Sequence, residues 1–387
     1  MEASCRHQKI WRILYRLLIP YVKRKFHLHW ETLSVDGPVL IVPNHVSAWD
    51  PLLVAACLPH KQVYFVASEH LFRLGLVTKL LNWLVAPIPR RKASIGTDTV
   101  KSCLRHLRAG HSVCLFAEGE QTWDGLNIPV FPATGKLVKS AGVTLVTVRI
   151  EGGYLSLPRW GKSVRRGQVY VHPVGVYPPD ALINMSPQEI NALIDRDIAE
   201  DAWQRQREQA VAYHGRRIAE GLETALYLCP SCRKISSLHT RYDRLFCSCG
   251  FSLRYTETGF FAPQEPFATI AEWDRWQRKS LHERLSAAEG LLFSDPSVSL
   301  SRIDAGHCES VLGSGELQQY KDRLCCAGLE FPLASISYMA MVQADLLLFS
   351  CENAYYQLQT RGRVNLRKYL EIWKQRRDKE LRRSRQI

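Results

Sequence analysis

The residues best suited to chemistry stand at 44–50, Asn-His-Val-Ser-Ala-Trp-Asp. A carboxylate that accepts the proton on one imidazole nitrogen fixes the ring's tautomer and leaves the other nitrogen as a general base. His45 and Asp50 have that potential, and His45 is the only one of the 13 histidines with an aspartate five residues on. Such a pair can take the proton from a substrate hydroxyl without an enzyme nucleophile. A second group is Cys229, Cys232, Cys247 and Cys249, two thiol pairs separated by fourteen residues. Paired thiolates at such spacing can complete a closed, tetrahedral, structural zinc site.

Positioning the dyad falls to the elements around it. Val39-Leu40-Ile41-Val42, ending at Pro43, reads as a buried strand. Further apolar runs at 63–67, 113–116 and 144–150 read as strands, and helical patterns at 50–58, 71–85, 97–109 and 134–141 separate them. Alternation of this kind predicts an α/β layered fold with a largely parallel sheet. His45 then lies at the carboxyl edge of the first strand, where open α/β sheets bind ligands.

The motif Asn44-His45-x-Ser47-x-x-Asp50 resembles the first block of the glycerolipid acyltransferase family, which includes the 1-acyl-sn-glycerol-3-phosphate (lysophosphatidic acid) acyltransferases. Pro87-Ile88-Pro89-Arg90 resembles the second block, Phe116-Ala117-Glu118-Gly119 the third, and Val146-Thr147-Val148 stands where the fourth belongs, with Thr147 in place of a usual proline. The resemblance covers roughly residues 30–175. It implies a glycerol-3-phosphate acyltransferase-like fold, in which His45 and Asp50 are catalytic. It also implies that Asn44, Ser47, Arg90, Glu118 and Gly119 shape the acceptor site, with Arg90 on the phosphate. The donor would be acyl-CoA or an acyl carrier protein thioester, and the acceptor a lysophospholipid. Backbone N–H groups at the helix start after His45 are expected to stabilise the tetrahedral oxyanion. The family's third block usually continues Thr-Arg, whereas Glu120-Gln121 stand here. That departure keeps two alternatives open: another lysolipid acceptor, or a non-catalytic lipid-binding protein on the same scaffold.

The surroundings fit an anionic partner. The 387 residues carry 51 Lys and Arg against 37 Asp and Glu, a net charge of +14. Ile10, Ile13, Leu14, Leu17 and Leu18 form a helical apolar stripe beside Arg12 and Arg16, and Lys23-Arg24-Lys25 follow. The 71–85 helix repeats the pattern, with Trp83 and then Arg90, Arg91 and Lys92. Both read either as interfacial helices or as ordinary surface helices. No uncharged apolar run reaches the ~18 residues of a spanning helix, and the N-terminus lacks a signal-peptide pattern. The expectation is peripheral, monotopic attachment at the cytoplasmic face of an anionic membrane, with the eight remaining cysteines reduced. Basic segments at 159–166 and 374–385 are candidates for lipid head groups or an acidic acyl carrier protein, or solvated faces. Nucleic acid is the weaker partner, because no reading-helix motif accompanies the cysteine cluster.

Four regions follow: an acyltransferase domain at 1–180, a helical connector at 181–228, a zinc-ribbon-like module at 229–262, and at 263–387 a helix, a β-rich part reminiscent of pleckstrin-homology barrels, and a basic closing helix.

Overall fold

The computed structural model describes residues 2–68, 76–90, 97–304, 308–360 and 364–384. Arg91, Lys92 and the first part of the 71–85 helix lie outside them. The chain divides into two compact units: residues 1–159, 163–215 and 257–259, and residues 160–162, 216–256 and 260–387.

Unit 1 is built on a seven-stranded sheet. Its elements are α1 (Glu2–Phe26), β1 (Leu28–Trp30), β2 (Val39–Pro43), α2 (Asp50–Ala56), β3 (Val63–Ser68), α3 (Leu76–Leu84), β4 (Ile88–Arg90), α4 (Thr97–Arg108), β5 (Ser112–Cys114), α5 (Ala133–Ala141), β6 (Thr144–Glu151), α6 (Gly153–Ser156), β7 (Val169–Tyr177), α7 (Pro179–Leu182), α8 (Pro187–Asp197) and α9 (Ala202–Gln209). The order is β1-β7-β6-β2-β5-β3-β4. All neighbours are parallel except β6 and β7. β2 is buried at every residue because β5 and β6 flank it and helices cover it, which explains its unbroken apolar run.

Three strands, β1, β4 and β7, escaped the sequence pattern. β1 and β4 are three residues long, and β7 contains Pro173 and Gly175. The sheet accommodates Pro173 beside a register shift between Thr147 and Val148 of β6. The predicted connector also differs. Ser186 caps α8 through a capping box with Glu189. Ile190, Ile194 and Ile198 then join Val138 and Leu145 in one apolar cluster. α8 therefore covers the sheet.

α1 is apolar on two sides. Trp11, Ile19, Val22 and Phe26 are buried. Trp11 and Tyr15 donate to the carbonyls of Leu58 and Ala56, at 3.3 and 2.9 Å. Ile13, Leu17 and Tyr21 are exposed instead, as are Leu76, Leu80 and Trp83 of α3. Arg6 lies over the Trp83 ring at 5.8 Å, which places the two helices side by side. No helix among the described residues is long and apolar enough to cross a membrane.

Unit 2 holds a four-stranded antiparallel sheet, β8 (Leu238–Arg241), β9 (Arg244–Cys247), β10 (Ser252–Tyr255) and β11 (Phe261–Ala262). After α10 (Ile270–Ala287) come β12 (Leu291–Ile303), β13 (Glu309–Tyr320), β14 (Arg323–Cys326), β15 (Leu329–Pro332), β16 (Ile336–Gln343), β17 (Leu346–Cys351) and β18 (Ala354–Thr360). They form an antiparallel sheet ordered β15-β14-β13-β12-β18-β17-β16, and α11 (Arg367–Ser384) closes it. The start of α11 is buried. Tyr369 donates to Asp295 at 2.7 Å, Trp373 donates to the Ile336 carbonyl at 2.9 Å, and Lys368 pairs with Asp295. The helical pattern expected up to Leu228 stops at Gln209. Residues 225–229 run instead as a buried irregular segment, with Gln277 accepting from the Tyr227 N–H and donating to the Ala225 carbonyl.

Candidate active site and thiol cluster

β2 ends at Pro43 and the chain turns through 44–49 into α2. Asn44 begins the turn, fully buried. Its amide donates to the Ile150 carbonyl at 2.9 Å and accepts from the Ile150 N–H at 2.7 Å. This pins the loop to β6. His45 follows, and its Nδ1 lies 2.7 Å from Asp50 Oδ2. Asp50 is fully buried at the first position of α2. Its carboxylate also accepts from the Val46 N–H at 2.7 Å, the Ser47 N–H at 3.0 Å and the Ser47 hydroxyl at 2.7 Å. Four donors on one buried carboxylate fix its orientation, and through it the imidazole. Phe116 stacks on the His45 ring at 4.3 Å. With Nδ1 turned to Asp50, Nε2 is the nitrogen left to accept a proton, on a side chain 18% exposed.

Glu118, just beyond β5, grips the same loop from the other side. Its carboxylate accepts from the His45 N–H at 2.7 Å, the Ile128 N–H at 2.7 Å and the Asn127 amide at 3.1 Å. Burial nonetheless pushes its pKa up to about 8, against the pull of those donors. Gly119 has φ +81°, and a Cβ there would meet the Phe131 ring at 2.1 Å. Arg90, at the end of β4, donates to the Gly119 carbonyl at 3.0 Å and lies over Phe131 at 4.9 Å. The carboxyl ends of β2, β4 and β5 thus bring His45, Asp50, Arg90, Glu118 and Gly119 together.

Asn44, Ser47 and Glu118, expected to shape the acceptor site, have their buried polar atoms engaged by protein groups and brace the loop that carries His45. The N–H groups of His45, Val46 and Ser47 go to Glu118 and Asp50, which removes them as oxyanion donors. Thr147, in the fourth block, is buried and donates to Asp197 at 2.8 Å. The 159–166 segment is not uniformly a surface patch. The Arg159 side chain is 5% exposed and bonds Glu120 and the Gln121 carbonyl, each at 3.2 Å, over the Trp123 ring. Arg165 is buried and donates to the Leu155 carbonyl. Sequence reasoning missed Asn127 and Phe131, which carry no local signal; Phe116 stood only as the first residue of the third block, and Arg159 only as part of a basic segment.

The family model described as Acyltransferase matches residues 25–151. That match spans about a third of the 387 residues. Two plant relatives share 23% identity with it. One is the chloroplastic 1-acyl-sn-glycerol-3-phosphate acyltransferase BAT2 of Brassica napus, matched over 38% of this chain and 49% of that protein. The other is LPAT1 of Arabidopsis thaliana, with the same description, over 46% and 57%. The chain thus spans about half the length of the curated relatives it matches. The crystal structure of the 1-acyl-sn-glycerophosphate (LPA) acyltransferase PlsC from Thermotoga maritima aligns at 17% identity with a TM-score of 0.42, over 52% of this chain and 80% of that one. His45, Asp50, Arg90 and Glu118 lie within the matched region, whereas the thiol cluster lies beyond it.

In unit 2 the four cysteines converge, their sulfurs all within 4.8 Å of one another. Cys229 and Cys249 Sγ are 3.8 Å apart, and Cys232 and Cys247 Sγ 3.7 Å. A tetrahedron with zinc–sulfur bonds of ~2.3 Å has edges of ~3.8 Å, so the set fits zinc. The shorter second pair closes because Gly250, at φ +93°, lets the chain turn tightly after Cys249, with its N–H on the Cys247 carbonyl. The cluster is remote in sequence from His45, and its four sulfurs leave no open position for substrate.

Proposed function

We infer that this protein transfers a fatty acyl group from an acyl thioester to the free hydroxyl of lysophosphatidic acid, giving phosphatidic acid for phospholipid synthesis. The observation that carries the reading is the His45–Asp50 contact of 2.7 Å, on a carboxylate fully buried and held by three further donors. His45 Nε2 takes the hydroxyl proton as the oxygen attacks the thioester carbon, and the same proton goes to the departing thiolate. Asp50 stabilises the transient imidazolium. Arg90 holds the acceptor phosphate, which sets the hydroxyl at attacking distance. The donor is acyl-CoA or an acyl carrier protein thioester. Zinc, bound by Cys229, Cys232, Cys247 and Cys249, is structural. The exposed apolar faces of α1 and α3 rest on the cytoplasmic surface of an anionic membrane.

One observation favours a second acceptor class. The Glu120 carboxylate beside Gly119 already pairs with Arg159, a charge balance that suits a lysolipid carrying less negative charge than a phosphomonoester. Purified protein and its His45→Ala variant, given acyl thioester and either lysophosphatidic acid or a lysophosphodiester lipid, decide the matter. Thiol release and diacyl product from the wild type alone are expected, with lysophosphatidic acid preferred. Full turnover by His45→Ala would sink the mechanism, and preference for the phosphodiester would replace the acceptor.

A further inference from the structure

A cavity of about 400 Å³ lies at the opposite edge of the unit 1 sheet from His45. Its walls come from α1 and from the turns that precede β2, β3 and β5. β2, with five residues, separates the two edges by ~16 Å. The lining includes Arg12, His60, Lys61 and His111, with Trp11 and Tyr64 as aromatic walls, and no carboxylate among the described residues contributes to it. Gly37 and Gly110 form part of the rim at φ +68° and +81°, and a Cβ at either would meet nothing within 4 Å, so the mouth is wide. Asp36, which is exposed, acts on Lys61. The Lys61 ammonium donates to the Gly37 carbonyl, which neutralises no charge. Burial weakens its hold on its proton, and Asp36 acts against that. His111 is likewise lowered by burial, within a ring cluster that includes Tyr64 and His106.

We propose that this cavity binds a phosphate group, outside the acyl-transfer site and on the far edge of the same sheet. Arg12, Lys61 and two imidazoles line one cavity with no acid among the described lining residues, a donor set suited to phosphate oxygens. The cavity opens beside α1: Arg12 lines it, and the next residue, Ile13, is 59% exposed. A phospholipid head group can enter from a surface on which α1 lies, and free phosphate can enter from solution.

The full-length chain tests this through the ring 15N–1H resonances of His60 and His111. The probes are inorganic phosphate, phosphatidylglycerol vesicles and phosphatidylcholine vesicles. A saturable shift of both rings is expected. Its apparent affinity should fall at least about tenfold in Lys61→Gln and stay within about threefold in Lys61→Arg and in Arg16→Gln, whose side chain lies on α1 outside the cavity. Saturation by inorganic phosphate would mark free phosphate as sufficient, and saturation by phosphatidylglycerol vesicles alone would mark the lipid head group. No saturable shift, an equal response to phosphatidylcholine, or equal losses in Lys61→Gln and Arg16→Gln would overturn the proposal. Lys61→Arg keeps the charge and guards against a folding artefact.

Discussion

Replacing Asp50 by asparagine keeps the shape of the most densely bonded group in the site and removes its charge. Four donors converge on the carboxylate: the His45 ring, the Val46 and Ser47 N–H groups and the Ser47 hydroxyl. An amide offers one oxygen and turns an NH2 toward the rest. The best placement keeps the oxygen on His45 and Val46 and sets the NH2 against the Ser47 hydroxyl, which can rotate to accept. The Ser47 N–H keeps that same oxygen at 3.0 Å but now faces the NH2 in the place of the oxygen 3.1 Å away, and three charge-assisted bonds become neutral. A loss of a few kcal/mol is tolerable for many folds of this size. The loss in rate should be larger, because a neutral partner no longer stabilises the imidazolium; a fall in kcat of about 10²–10⁴-fold is expected. Thiol release from an acyl thioester measures the rate, and urea unfolding measures stability. A variant destabilised by that much but within threefold of wild-type kcat would show that Asp50 merely braces the loop, and the general-base argument would fail.

Arg90→Gln should raise KM for lysophosphatidic acid by about ten- to a hundredfold with kcat less affected, the cost of one charged hydrogen-bonding group; equal KM values would remove Arg90 from the acceptor site. Glu118 makes stability depend on pH. Its folded pKa of about 8 lies above the unfolded value of 4.5, so the folded state holds the proton more tightly. The stabilising contribution is complete below about 4.5 and is lost as pH rises through about 8, a slope that Glu118→Gln should flatten. An unchanged slope would mean that the carboxylate stays ionised throughout. Cys249→Ser should lower bound zinc from one per chain, measured by release to a chromogenic chelator, and should lower the melting temperature of unit 2. Full zinc occupancy in that variant would discard the four-sulfur site.

Legibility in the sequence followed burial and locality. β2 was visible because a strand covered on both faces is apolar without interruption, and β3, β5 and β6 because each carries a run of apolar residues. β4 was not, since Ile88-Pro89-Arg90 is too short to show any period and contains a residue that propensity places outside strands. The dyad could be seen because both partners lie on one loop. Arg159 could not, since it meets Glu120 across 39 residues that no local pattern links. The predicted α1 stripe was real as a helix, yet the pattern could not say that Trp11 and Ile19 pack on protein while Ile13 and Leu17 face away. Which of two apolar faces is covered depends on tertiary partners. How Asn44 and Ser47 act was hidden for the same reason: a motif names residues near a reaction, and only the hydrogen bonds tell which of them brace the others.

The pairing of β1 with β7, Leu28 beside Val169, has a consequence for how the chain emerges from the ribosome. At roughly 5–20 residues per second, the strand that β1 needs is made about ten to thirty seconds later. In that interval α1 already has the carbonyls of Ala56 and Leu58 and the Phe65 ring to dock on, whereas β1 runs on from it as an unpaired strand. An open strand edge is a template for pairing with another chain, and only the arrival of β7 closes it. The helix is thus secured early and the strand that follows it late.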